Sequence, residues 1–129
     1  MPLVRLVIRT GRSVEEKRAL LDAVHNALVE AFRIPEDDRT QRIDEYAPED
    51  FEIPPGRSAN YTLVEITAFP GRSLEAKRKL YQTITQNLAA LGIARPDILI
   101  VLNEPNLDNW GVKDGLPASE TDLGFDLQV

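Results

Sequence analysis

The chain of 129 residues has no cysteine, one histidine, one methionine and one tryptophan. Without thiols it has neither disulfides nor thiolate metal sites, and a single histidine argues against a zinc centre. Positive charge is also scarce: 15 Lys and Arg stand against 21 Asp and Glu, a net charge of −6. That balance argues against a nucleic-acid partner, so any arginine that binds an anion must be a local feature. Long apolar runs are missing too. The longest, Ile98–Leu102, falls far short of a bilayer span, and no basic, apolar leader opens the chain. The expectation is a soluble, cytoplasmic enzyme or binding module of one domain, with no metal and no membrane partner.

What is present is a repeat. GRSVEEKRAL begins at Gly11 and GRSLEAKRKL at Gly71, 60 residues later, with seven of ten positions identical. A run rich in branched residues precedes each, Leu3–Thr10 and Thr62–Phe69, and reads as a strand. A helix follows each. In the first, Ser13 and Glu16 form a capping box, and Leu21, Val24, Leu28 and Phe32 recur at spacings of three and four. In the second, Ser73 caps, Leu80, Tyr81, Ile84, Leu88 and Leu91 form the stripe, and Gly92 suits the position past the end. A second extended run follows each helix, Arg39–Tyr46 and Ile98–Leu102, so the unit is β-α-β, present twice.

A right-handed crossover makes the strands of each unit parallel, with the helix on one face. Joined about a pseudo-two-fold, with their first strands antiparallel at the centre, the units predict an α+β fold: a four-stranded mixed sheet with two helices on one face. Repeat one spans 2–46, the linker 47–61, repeat two 62–103 and an irregular tail 104–129, with one short hairpin. Because Leu, Val and Ile occur at both parities of the strands, the uncovered sheet face is expected to be buried between subunits. The linker, long for a compact fold, suits either a solvated crossover or the wall of a site. A third GRS, Gly56–Ser58, has no strand pattern before it and no helical pattern after it, and reads as coincidence.

Antiparallel central strands place Phe69–Arg72 beside Pro2. They put Arg12 at the far end, roughly 26 Å away at about 3.3 Å per residue, so the two GRS arginines are not equivalent. Cells usually trim an initiator methionine that precedes a small residue, which would leave Pro2 as a secondary amine at the chain end. Model α-amino groups titrate at about 7.7–8.0, and an apolar pocket with a neighbouring cation lowers that further, which makes a base for neutral pH. An arginine at a helix start, here Arg72, is a good partner for a carboxylate.

Met-Pro start, strand, GRS, helix and doubled β-α-β unit together resemble the tautomerase superfamily over essentially the whole chain. The helix start resembles 4-oxalocrotonate tautomerase. Overall length, the PEDDR segment at Pro35–Arg39 and the single tail tryptophan, Trp110, resemble the malonate semialdehyde decarboxylase branch more closely. The resemblance implies a homotrimer without cofactors, Pro2 as the catalytic amine, Arg72 as the carboxylate holder, and Asp38 as a residue that orients or activates water. Phe69 stands where a second arginine is often found in the family, and Val112 where an aromatic usually follows the tail tryptophan.

Each residue also has a plainer reading. Asp38 equally suits a turn before a strand, Trp110 an anchor for the tail as well as a pocket wall, and Phe69 the core as well as an apolar wall. His25 reads as a packing residue within its helix, and Arg12 as structural or the relic of a second site. The leading expectation is keto–enol tautomerisation of small 2-oxo acids, phenylpyruvate-like because of Phe69. The alternatives are decarboxylation or hydration of the malonate semialdehyde kind, and a trimeric binding module without chemistry.

Overall fold

The computed structural model describes residues Met1–Val129. Strand β1 (Leu3–Arg9) leads into helix α1 (Val14–Phe32) and strand β2 (Thr40–Tyr46); strand β3 (Thr62–Thr67) leads into helix α2 (Leu74–Ala90) and strand β4 (Ile98–Asn103). The sheet order is β2-β1-β3-β4, with β1 parallel to β2, β3 parallel to β4, and β1 antiparallel to β3 at the centre. This is the expected arrangement of two β-α-β units. No helix is long and apolar enough to cross a membrane.

The local signals act as their chemistry requires. Ser13 Oγ accepts from the Glu16 amide while the Glu16 carboxylate accepts from the Ser13 amide, closing the capping box at 3.1 Å both ways. Ser73 Oγ accepts from the Ala76 amide. At the other end of α2, Gly92 takes a φ of +93°, its amide bonding Ala89 O and that of Ile93 bonding Leu88 O. This Schellman turn needs a residue without a Cβ. It also corrects the apolar stripe: Leu91 caps the helix after Ala90 and is 47% exposed.

Strand β3 is shorter than expected. Ala68 still bonds Asn103 O, but Pro70 has no amide for the ladder and the chain turns away after Phe69.

One core holds both helices to the same face. Val4, Leu6 and Ile8 of β1 and Val64 and Ile66 of β3 pack with Val24, Leu28 and Phe32 of α1 and Leu80, Ile84 and Leu88 of α2, all buried. On the other face the alternation puts Leu3, Arg5, Val7, Leu63 and Glu65 at the centre. Leu99 and Val101 stand 49% and 39% exposed on edge strand β4. The middle of this face is ionic: Arg5 pairs with Asp44, and with Glu65 at 2.9 Å, and these two carboxylates, Asp44 foremost, push its guanidinium up from its usual value. The uncovered face is thus apolar at one edge and salt-bridged at the centre, rather than apolar throughout.

The linker is pinned. Arg9 donates through Nε and Nη2 to Phe51 O, and the Phe51 ring packs edge-on between Tyr46 and Tyr61. The third GRS has neither strand nor helix, as its surroundings predicted, yet its serine has a task. The Ser58 amide and hydroxyl both donate to the buried carboxylate of Asp97, holding that group below the usual carboxylate range against the upward push of burial. In the tail an isolated bridge joins Gly111 to Pro117, the short hairpin expected there.

Candidate active site

The register of the central strands builds one corner of the molecule. Leu3 lies opposite Thr40 on one side and Thr67 on the other, so the start of β1 is flanked by the start of β2 and the end of β3. Three segments remote in sequence meet there: Met1-Pro2, Asp38 and Phe69–Arg72. The Met1 amino group donates to Asp38 Oδ1 at 2.5 Å. Pro2 is buried, and with Met1 attached its nitrogen is an amide without basicity. Met1, Asp38, Phe69, Val112, Leu123 and Phe125 are among the residues lining a cleft of about 190 Å³.

Arg72 follows Gly71, whose φ of +124° matches the +126° of Gly11 in the other repeat. Here the match ends. Arg72 is only 6% exposed and packs its guanidinium 4.8 Å from the ring centroid of Phe32 and 5.8 Å from that of Phe125. Its Nη1 donates to Phe69 O at 3.0 Å, whereas Nε and Nη2 are buried without a partner. A buried donor left unpaired costs about 1–3 kcal/mol, more when it is charged, and the flanking rings return about 1–2 kcal/mol by cation–π attraction. Burial pushes the Arg72 guanidinium down from its usual value, opposed by the carboxylates of Glu104, Asp126 and Asp38. Arg12, at the opposite end of the sheet, reaches Asn60 across the surface and borders a separate hollow of about 150 Å³ with Glu16 and Ile93.

Of the sequence-derived candidates, Pro2, Asp38, Phe69 and Arg72 share this corner. Phe69, 2% exposed, lines the cleft and meets Trp110 edge-on with centroids 4.7 Å apart. Trp110 itself stands behind Phe69, its Nε1 donating to Pro105 O, and does not line the cleft; anchoring the tail is the role its position supports. His25 is buried in α1 with Nε2 against Glu36 O at 2.8 Å, a satisfied packing residue.

Leu123 and Phe125 were missed. Their signal is the alternation Leu123, Phe125, Leu127, Val129, which are half-buried, with Asp122, Gly124, Asp126 and Gln128, which are exposed. That period of two is obscured by the glycines and prolines upstream.

Two family models, both described as tautomerase enzyme, match residues 2–58 and 38–113. The probable tautomerase YrdN of Bacillus subtilis is 32% identical over 116 residues, covering 85% of this chain and 89% of that protein. Among solved structures, a malonate semialdehyde decarboxylase inhibited by 3-bromopropiolate is 34% identical, with a TM-score of 0.79 over 88% of this chain and 90% of that one. A fused 4-OT described as a symmetric trimer is 30% identical, with a TM-score of 0.80 over 91% and 96%. The repeat, the sheet order and these matches converge: the chain belongs to the tautomerase superfamily, within its malonate semialdehyde decarboxylase-like branch.

Proposed function

We propose that the protein is a cofactor-independent enzyme in which Pro2, freed by removal of Met1, moves a proton between oxygen and carbon of a small 2-oxo acid. In the enol-to-keto direction the Pro2 amine takes the hydroxyl proton, the oxygen lone pair closes the carbonyl, and the C=C electron pair takes a proton back from Pro2 at C3. Charge and electrons balance, and no oxidant or hydrolytic water is used. Arg72 holds the carboxylate and stabilises the enolate as it develops. Phe69 supplies an apolar wall, which favours aryl-bearing acids such as phenylpyruvate.

The observation that carries this reading is the burial of Pro2 at the amino end of β1, whose Leu3 pairs with Thr67 just before the turn that bears Arg72. The test is ketonisation of enol-phenylpyruvate by the untagged protein, followed by loss of enol absorbance. Turnover that disappears in Arg72→Ala supports the reading, and turnover at the solvent rate in the wild type refutes it.

Asp38 beside the amino end, together with the 34% identity to a malonate semialdehyde decarboxylase, favours a second reading. Protonated Pro2 would polarise the C3 carbonyl of a 3-oxo acid. As the C1–C2 bond breaks and CO₂ leaves, the bonding pair forms the C2–C3 double bond and the carbonyl oxygen takes the Pro2 proton; the enol then takes a solvent proton at C2 while its hydroxyl proton returns to Pro2. The homotrimer belongs to the same proposal, supported by the trimeric 4-OT relative and by the apolar edge of the uncovered sheet face.

A further inference from the structure

Arg72 carries an unresolved contradiction: a carboxylate holder whose free donors face no solvent. The two unpaired atoms, Nε and Nη2, lie on the same edge of the guanidinium, the edge that receives a carboxylate through two parallel hydrogen bonds. Residues of the tail end lie over this motif. Phe125 flanks the guanidinium, the Leu127 Cβ stands 3.2 Å from where a side chain on Gly71 would begin, and Val129 O accepts from the Ser73 amide at 3.0 Å.

That last bond is the one hydrogen bond between residues 122–129 and the rest of the chain. The others in the segment are the local turns Asp122 to Gly124 and Asp126 to Gln128. A segment without helix or strand, held by alternate apolar side chains and one hydrogen bond to the rest of the chain, is of the kind that opens at low cost. Phe125 is also the side chain that both lines the cleft and stacks on Arg72. The cleft of about 190 Å³ is smaller than the roughly 300–1,000 Å³ of most small-molecule sites; loss of Met1, which lines it, enlarges it at the amino end, and displacement of Phe125 opens it towards Arg72.

We propose that Phe125, carried on the strap Asp122–Val129, is a specificity-determining gate: it covers Arg72 at rest and yields to ligands that offer the two unpaired donors an oxyanion. A carboxylate gains two charge-assisted hydrogen bonds when the strap lifts, whereas a neutral ketone gains none, so the closed strap selects acids over uncharged analogues. The closed population lowers the apparent affinity of every ligand that needs Arg72. This deepens the proposed role of Arg72 as carboxylate holder and rests on it.

The test uses benzoate, an unreactive monocarboxylate, and acetophenone as its neutral counterpart, titrated calorimetrically into the full untagged chain. Phe125→Ala is expected to bind benzoate about threefold to tenfold more tightly than wild type, because the competing closed state is lost. Arg72→Ala is expected to lose benzoate binding, and acetophenone should not bind the wild type. In the unaltered protein, benzoate should also speed hydrogen exchange of the Ser73 amide, which the strap protects at rest. If Phe125→Ala does not fold, Leu127→Ala should shift benzoate affinity in the same direction.

Weaker or unchanged benzoate binding in the strap variants, Ser73 exchange that benzoate slows or leaves alone, or absence of Arg72-dependent binding would each overturn the gate. Because no turnover is read, a protein that gates benzoate but fails the enol assay would sink the proposed reaction alone. One that turns over substrate while strap variants bind more weakly would sink the gate alone.

Discussion

Asp38 Oδ1 lies 2.5 Å from the amino nitrogen of Met1, although 37 residues separate them. The parallel pairing of Leu3 with Thr40 brings them together, and it leaves Pro2 buried one residue inside the same corner. Untagged protein is therefore expected to have lost one methionine by intact mass and to be alkylated at Pro2 by 3-bromopropiolate, the reagent that inhibits the malonate semialdehyde decarboxylase relative. A version with an uncleavable N-terminal extension should be unmodified and inactive, since its Pro2 nitrogen is an amide. Full activity of the extended protein would end the proline mechanism.

Arg72→Lys should behave almost as badly as Arg72→Ala. A lysine ammonium keeps the charge but lacks the planar edge on which Nε and Nη2 stand. We expect kcat/KM for enol-phenylpyruvate to fall about a hundredfold, or about 2.7 kcal/mol of transition-state stabilisation. Steady-state kinetics with both variants decide it, and a lysine variant within a few-fold of wild type would mean that charge alone is read.

Asp38→Asn separates the two reactions. If Asp38 serves decarboxylation, malonate semialdehyde turnover should fall by about a hundredfold or more while ketonisation stays within a few-fold. Product analysis by NMR on one preparation tests both at once. Equal losses in the two assays would instead mark Asp38 as a partner of the Pro2 amine in either chemistry.

Ser58→Ala probes the linker clamp. Two hydrogen bonds from Ser58 hold the Asp97 carboxylate below its ordinary range, so the stability it confers is fully present above the unfolded value of about 3.9 and is lost as pH falls through the lower folded value. The variant keeps the amide bond and loses the hydroxyl one to a charged carboxylate, a cost of about 1.5–3 kcal/mol. Thermal melts should show the variant below wild type at pH 7, with the gap closing as pH falls below the unfolded value of about 3.9 and through the lower folded one. A gap that widens in acid would refute the assignment.

Val101→Glu tests the assembly. Val101 is 39% exposed next to Leu99 on the uncovered face, and a charge there opposes burial between subunits. Sedimentation should give a trimer for wild type and smaller species for the variant. A wild-type monomer at micromolar concentration would reject the trimer.

What the sequence determined by itself is whatever repeats or recurs within a few residues. The doubled GRS frame, the Ser13–Glu16 capping box, the Schellman glycine and the periods of the four strands are local chemistry, and pseudo-symmetry turned them into the observed sheet order. From that order alone Arg72 could be placed beside the amino end and Arg12 far from it. The tertiary structure decided what depends on segments meeting across 37 residues or more. It set Met1 against Asp38, gave Ser58 of the third GRS a buried carboxylate 39 residues away, moved Trp110 behind Phe69, and laid Phe125 over Arg72. No spacing rule encodes these contacts. Each forms because packing the common core brings surfaces together that the chain itself keeps apart, and the unpaired donors of Arg72 exist only after that packing has closed over them.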